Sequence, residues 1–200
     1  GLKVVCPSSP SDAKGLLISS IEDKNPVIFY EHRWLHFLKG EVSKNIYRKT
    51  IGKSEYLQKG RDLTIISFSY AIIECLKANE ILKKNKIKAD IIDLKTLRPL
   101  DYKKIILSAK KTKKVLIVDN GWTKCSIVKD ILSDLFMMGF KGEAQIMGYA
   151  DSPCPTPRNL EDIYYPNPTT IAKKIQEMLK IEANIVLGSS PEIDSFRGPF

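Results

Sequence analysis

The 200-residue chain has no run of about 18 apolar residues, which leaves a membrane-spanning helix unsupported. Its first twenty residues lack the basic start and long apolar block of a secretory signal. Histidine is almost absent, with only His32 and His36. The four cysteines, Cys6, Cys75, Cys125 and Cys154, are scattered without a C-x-x-C pair, which argues against a disulfide framework and against a zinc site and points to a reducing cytoplasm. Neither G-x-G-x-x-G nor G-x-x-x-x-G-K-[ST] occurs, so no loop is built to cradle phosphates at a helix start. Aromatic residues make up only 8% of the chain. The net charge of +9 is mainly lysine, gathered in "LKKNKIK" and "KKIILSAKKTKK", with no arginine-rich or aromatic-interleaved surface beside it. Such lysines describe a solvated face, and nucleic-acid binding is not expected.

What remains is a core-building chain, 43% hydrophobic, with strong punctuation. "LKVVCP" predicts a short strand ended by Pro7. "SSPSDAKGLLISSIED" supplies serine caps and apolar residues Ala13, Leu16, Leu17 and Ile21 at helical spacing. Gly15 inside that helix costs about 1 kcal/mol relative to alanine, a cost that close packing of a neighbour would justify. "NPVIFYEH" continues as a strand. From residue 33 to 60 the periodicity fades, and a linker with short strands around "NIYRKTIG" is expected. After Gly60 strands and helices alternate: "DLTIISF", "YAIIECLKANEILKKN", "IKADIIDLKT", "DYKKIILSAKKT", "KKVLIVDN", "TKCSIVKDILSDLFMMG", "EAQIMGYA" and "PTTIAKKIQEMLK". Near-continuous Ile, Leu and Val in the strands predicts an α/β fold, a parallel sheet covered on both faces with right-handed crossovers.

Candidate sites follow from the carboxyl ends of those strands, where open α/β sheets bind ligands. Asp119, Asn120, Gly121 and Trp122 could line a pocket there, but Asn-Gly is also ordinary turn chemistry, and a turn is the expectation. His32 and His36 stand four apart beside Glu31; a metal chelate would need one helical face, whereas Glu31 and His32 continue a strand, so core-edge histidines are the better reading. The stretch "SPCPTPRNLEDIYYPNP" contains Cys154 between prolines. No histidine nearby would activate the thiol, and the prolines predict a rigid extended segment without a nucleophile. Arg158, Tyr164 and Tyr165 in the same stretch are residue types favoured at buried contacts between subunits.

The order of "GLKVVCPSSPSDAKGLLISSIEDKNPVIFYEHRWL", "ADIIDLKTLRPLD", "VLIVDNGW" and "SPCPTPRNLEDIYYP" resembles the beta subunits of thiamine-diphosphate-dependent 2-oxo acid dehydrogenases of the pyruvate, branched-chain and acetoin type, over residues 1 to about 178. The resemblance implies a βαβ remnant of a pyrimidine-binding domain over residues 1–32, a linker over 33–60, a three-layer transketolase C-terminal-like domain over 61–180 and a C-terminal arm over 181–200. It implies that the catalytic glutamate and histidine lie in a portion preceding Gly1, that thiamine diphosphate and Mg are held elsewhere in the complex, and that this chain alone is inactive. A structural potassium ion is implied at the end of the first helix, at Ser20, Asp23 and Asn25. The implied partners are the alpha subunit, a second beta subunit and the lipoyl acyltransferase core, with Arg158, Tyr164 and Tyr165 facing a subunit. A stand-alone, non-catalytic assembly module is the alternative.

Overall fold

The computed structural model describes residues 1–181, apart from the side chain of Arg158; beyond Ile181 the expected arm lies outside the described residues. The first unit is a βαβ turn of chain. Strand β1 (Lys3–Val5), helix α1 (Pro10–Glu22) and strand β2 (Val27–Phe29) follow each other, and the two strands pair in parallel. Ser9 caps α1 by accepting from the Asp12 backbone N–H at 3.1 Å, and Pro10 fills the first helical position, where its missing N–H costs nothing. Gly15 is where the chain needs no side chain. A Cβ there would lie 2.7 Å from Lys49 Cγ and 2.8 Å from the Tyr47 ring, and Lys49 donates its backbone N–H to the Gly15 carbonyl.

Residues 33–60 pack against both units. Arg33–Phe37 forms a 3-10 turn, residues 43–49 lie along α1, and β3 (Glu55–Gln58) joins the second sheet. The strands expected around "NIYRKTIG" are absent among the described residues. That segment hydrogen-bonds to α1 through Tyr47 and Lys49, and the strand forms further on, where "EYLQ" alternates exposed and half-buried residues.

The second unit is a five-stranded sheet in the order β3-β5-β4-β7-β8, from β4 (Leu63–Ser67), β5 (Ala89–Asp93), β7 (Lys114–Trp122) and β8 (Glu143–Tyr149). Four strands are parallel as expected, but β3 runs antiparallel to β5 along one edge. A second departure is β6 (Thr96–Arg98), which leaves this sheet and pairs antiparallel with β1, so "DLKTLRPLD" bridges the two units. Three residues on an edge carry too little periodicity to be seen in sequence.

Side-chain alternation along the strands builds two cores. Leu63, Ile65, Ile91, Leu116 and Val118 face α2 (Ser69–Lys84) and α6 (Pro168–Leu179), while Ile66, Ile92, Val115 and Ile117 face α3 (Tyr102–Thr112) and α4 (Ile127–Met137). Each fully buried side chain of this size contributes about 1.5–3 kcal/mol of transfer free energy. Cys6 of the first unit belongs to the second of these cores and fastens the two units together. Among the described residues no helix is long and apolar enough to cross a membrane.

Candidate functional site

Three groups of side chains stand out beyond the cores. The first lies at the joint between the units, where α1 begins and β5 ends. Lys95, held at φ +56°, sends its ammonium to Asp12 at 2.6 Å and also to Glu55, and Lys49 reaches the same Asp12 oxygen at 2.5 Å. Burial alone would push the Asp12 carboxyl up, but the two lysines and the Ser9 hydroxyl outweigh it and hold the carboxyl below its ordinary value. Asp93, fully buried beside them, accepts from the Ser8 hydroxyl and from the Lys95 backbone N–H, yet makes no ion pair among the described residues. Its pKa rises to about 7, first through burial and then through the charge of Asp12, while Ser8 and Lys95 oppose the rise.

The second group is aromatic. His32 stacks on Tyr70 at 5.0 Å, Trp34 meets Tyr70 and Tyr165 edge to face, and Tyr149, Tyr164 and Tyr165 contact one another at 4.9–5.0 Å. Each such pair adds about 0.5–1.5 kcal/mol beyond area burial. The cluster seats α5 (Arg158–Tyr164), a helix in the stretch expected to be extended. The prolines stop at Pro157, and the eight residues from Arg158 to Tyr165 contain none, which is enough chain for two turns. Tyr164 is buried and Tyr165 half-buried within the chain itself, leaving Leu160 and Ile163 as the exposed apolar residues of α5. Cys154 is exposed, 3.4 Å from the Tyr165 hydroxyl, with no histidine against its sulfur among the described contacts. Cys6 and Cys75 are buried thiols, each pushed up to about 12 chiefly by burial.

The third group is a cleft of about 280 Å³ at the carboxyl ends of β4 and β7. The chain leaves β4 for β5 on one side and returns to β7 on the other, so this is where the strand order switches. Asp119, Asn120 and Gly121 line the cleft as the end of β7, not as the turn expected of Asn-Gly; β8 pairs with Val118 and again with Trp122, and the three residues form an irregularity in the register between those pairs. A Cβ on Gly148 would come within 2.4 Å of the Gly121 carbonyl, so that glycine is demanded by close approach of backbone, while one on Gly121 would come within 2.7 Å of the Asp119 carboxylate and push that side chain aside. Opposite them, Ser69 opens α2 at φ +52°.

Of the remaining residues singled out in the sequence, Ser20 donates its hydroxyl to the Leu16 carbonyl at 2.7 Å. Asp23 is paired with Lys3 at 2.5 Å and accepts from the backbone and side-chain amides of Asn25, interactions that lower its pKa to about 2. The three sit together at the end of α1. His32 is the cap of the 3-10 turn and accepts from the Trp34 N–H, while His36 lies 3.9 Å from Glu31, and all three line one cleft with Pro7–Pro10. No group of metal-ligating His, Cys, Asp or Glu residues occurs among the described residues.

A three-layer parallel sheet that carries an added antiparallel edge and is welded to a βαβ unit defines the class. The family described as "Transketolase, C-terminal domain" matches residues 52–171, and the chain belongs to it. Its relatives include the beta subunit of acetoin:2,6-dichlorophenolindophenol oxidoreductase of Cupriavidus necator, 37% identical over 183 residues that cover 90% of this chain and 54% of that protein. Another is the pyruvate dehydrogenase E1 component subunit beta of Rickettsia bellii, 34% identical over 185 residues, 91% of this chain and 57% of that one. The chain thus spans about half the length of these relatives. Among solved structures, an inactive beta4 tetramer of a split-gene transketolase shares the fold with a TM-score of 0.74 at 19% identity, over 91% of this chain and 59% of that one.

Proposed function

We propose that these residues form the assembly portion of the beta subunit of a thiamine-diphosphate-dependent 2-oxo acid or acetoin dehydrogenase, working with an alpha subunit and a second beta subunit and docking onto the lipoyl acyltransferase core. The observation that carries this reading is the 37% identity to an acetoin oxidoreductase beta subunit across 90% of the chain, over both structural units. The cofactor supplies the electron sink for decarboxylation, and the protein's part is to bind and orient. Thiamine diphosphate and Mg are assigned to the rest of the complex, and the 200 residues alone are assigned no turnover.

Two features of the chain fit this reading. Ring contacts to Tyr149 and Trp34 anchor Tyr164 and Tyr165, and α5 turns Leu160 and Ile163 outward, which suits the stretch with Arg158, Tyr164 and Tyr165 to positioning a subunit-facing surface. At the end of α1 the donor set is all oxygen, as a structural potassium ion requires. Since Lys3 already neutralises Asp23, the ion would rest on the Ser20 oxygen and on carbonyls that the helix end leaves open, with Asn25 closing the turn. The test is co-expression with an alpha subunit: Tyr165→Ala should weaken the complex measured by light scattering, and Cys154→Ser should leave it intact. The reverse result would return the segment to chemistry at sulfur.

A further inference from the structure

The cleft between β4 and β7 has two unlike poles that no ligand of a single charge would satisfy. On the β7 side, Asp119 is half-buried; burial raises its carboxyl to about 6, and the backbone N–H of Asn120 opposes that rise and favours the charged form. The Asn120 side-chain oxygen beside it is buried and accepts from no donor among the described residues. On the β4 side, α2 begins after Phe68 with no side chain capping it and no acidic residue in its first turn. The first N–H groups of a sixteen-residue helix are thereby left without an intrahelical partner at the positive end of its dipole. Ser69, only 3% exposed and strained at φ +52°, lines the cleft at this helix start, and its hydroxyl has no partner among the described residues. Among the described residues neither lysine nor arginine lines the cleft, and its histidine, His32, is held toward the neutral form by burial and by His36, so a phosphate or a simple carboxylate would face Asp119 uncompensated, and a simple amine would face the helix start. The rest of the lining is mostly apolar, with Val4, Ile28, Leu97 and Ile127 beside the rings of Tyr30, His32, Phe68 and Tyr70.

We propose that this cleft binds a small zwitterion, an α-amino acid with an apolar side chain. Its ammonium lies against Asp119 and Asn120, its carboxylate lies at the first turn of α2 beside the Ser69 hydroxyl, and its side chain rests on the Val4 and Ile127 wall. A cavity of about 280 Å³ accommodates a leucine-sized molecule, and pairing each pole with the opposite charge removes the desolvation penalty that either would carry alone. The inference does not depend on the dehydrogenase reading, because every group in it belongs to this chain.

Calorimetry on the purified protein tests it with three probes: L-leucine, 4-methyl-2-oxopentanoate, which lacks the ammonium, and 3-methylbutylamine, which lacks the carboxylate. Leucine should bind saturably, and each truncated probe should bind at least about tenfold more weakly, the worth of one charge-assisted contact. Asp119→Asn should weaken leucine binding by a similar factor. Ser69→Gly, which relieves the positive φ and so keeps the fold, should weaken it as well. Failure of leucine to saturate at about 10 mM, a range where even weak sites fill, would overturn the proposal. So would equal binding of either truncated probe, or unchanged leucine binding in folded Ser69→Gly protein.

Discussion

Replacing Asp93 with asparagine should stabilise the protein, and by more as the pH rises. In the unfolded chain the carboxyl titrates near 3.8, whereas burial beneath Ser8 and beside Asp12 raises it to about 7 in the fold. The folded state therefore binds the proton more tightly. Stability is fullest below the unfolded value and declines as pH climbs toward the folded one. At about 1.4 kcal/mol per tenfold change, the whole penalty is roughly 4 kcal/mol, of which roughly 3 kcal/mol develops between pH 5 and pH 8. An asparagine oxygen can still accept from Ser8 and from the Lys95 backbone, and any cost of the exchange is the same at every pH. Neighbouring Asp12 does not confuse the window, because its carboxyl is held below the ordinary value and its stabilisation is lost only as pH falls toward acid. Urea titrations of both proteins at pH 5, 6, 7 and 8 read the effect as a difference in unfolding free energy, with the slope against urea held as a check that the same surface unfolds. A difference between the two proteins that stays flat across these pH values would mean that no buried carboxyl titrating near 7 weakens the fold.

Other substitutions probe other parts of the argument. Gly15→Ala gains helix propensity but drives a methyl into Lys49 and the Tyr47 ring, so thermal melts should show a net loss of about 1–2 kcal/mol despite the propensity gain. Leu116→Ala, on the interior strand β7, should cost about 2–5 kcal/mol in denaturant unfolding. Tyr165→Ala removes ring contacts to Trp34, Tyr149 and Tyr164 and should cost about 2 kcal/mol, whereas exposed Cys154→Ser should stay within about 0.5 kcal/mol.

The sequence carried the alternating strands and helices after Gly60 because each strand is a continuous apolar run and each helix repeats its apolar face, signals that tertiary context only reinforces. The need for close packing on Gly15 was legible for the same reason, since a glycine within a strong helical pattern demands a cause, and Tyr47 and Lys49 supply it. Local chemistry misled where partners distant in sequence decide. Asn120-Gly121 has turn composition, yet the pairs that β8 makes on either side, at Val118 and Trp122, keep it within β7 as a break in the register. Arg158–Tyr164 sits amid prolines, yet its proline-free run closes into a helix once Tyr149 and Trp34 receive the tyrosines. The strands β3 and β6 are too short to announce themselves and owe their existence to the edges of β5 and β1. The joint around Asp12 was invisible for a further reason: Lys49, Glu55, Asp93 and Lys95 are charges like any others until the fold brings them onto one carboxylate or beside it.

Membership of a working thiamine-dependent dehydrogenase is open to a dye-reduction assay. The complete product of the reading frame that contains these residues, co-expressed with an alpha subunit from the same genome, should reduce 2,6-dichlorophenolindophenol with acetoin, pyruvate or a branched-chain 2-oxo acid. That reduction should depend on thiamine diphosphate and on the alpha subunit, and the 200 residues alone should give none. A stable complex that reduces the dye with no member of this substrate set, or a product that fails to associate with any alpha subunit, would contradict the account.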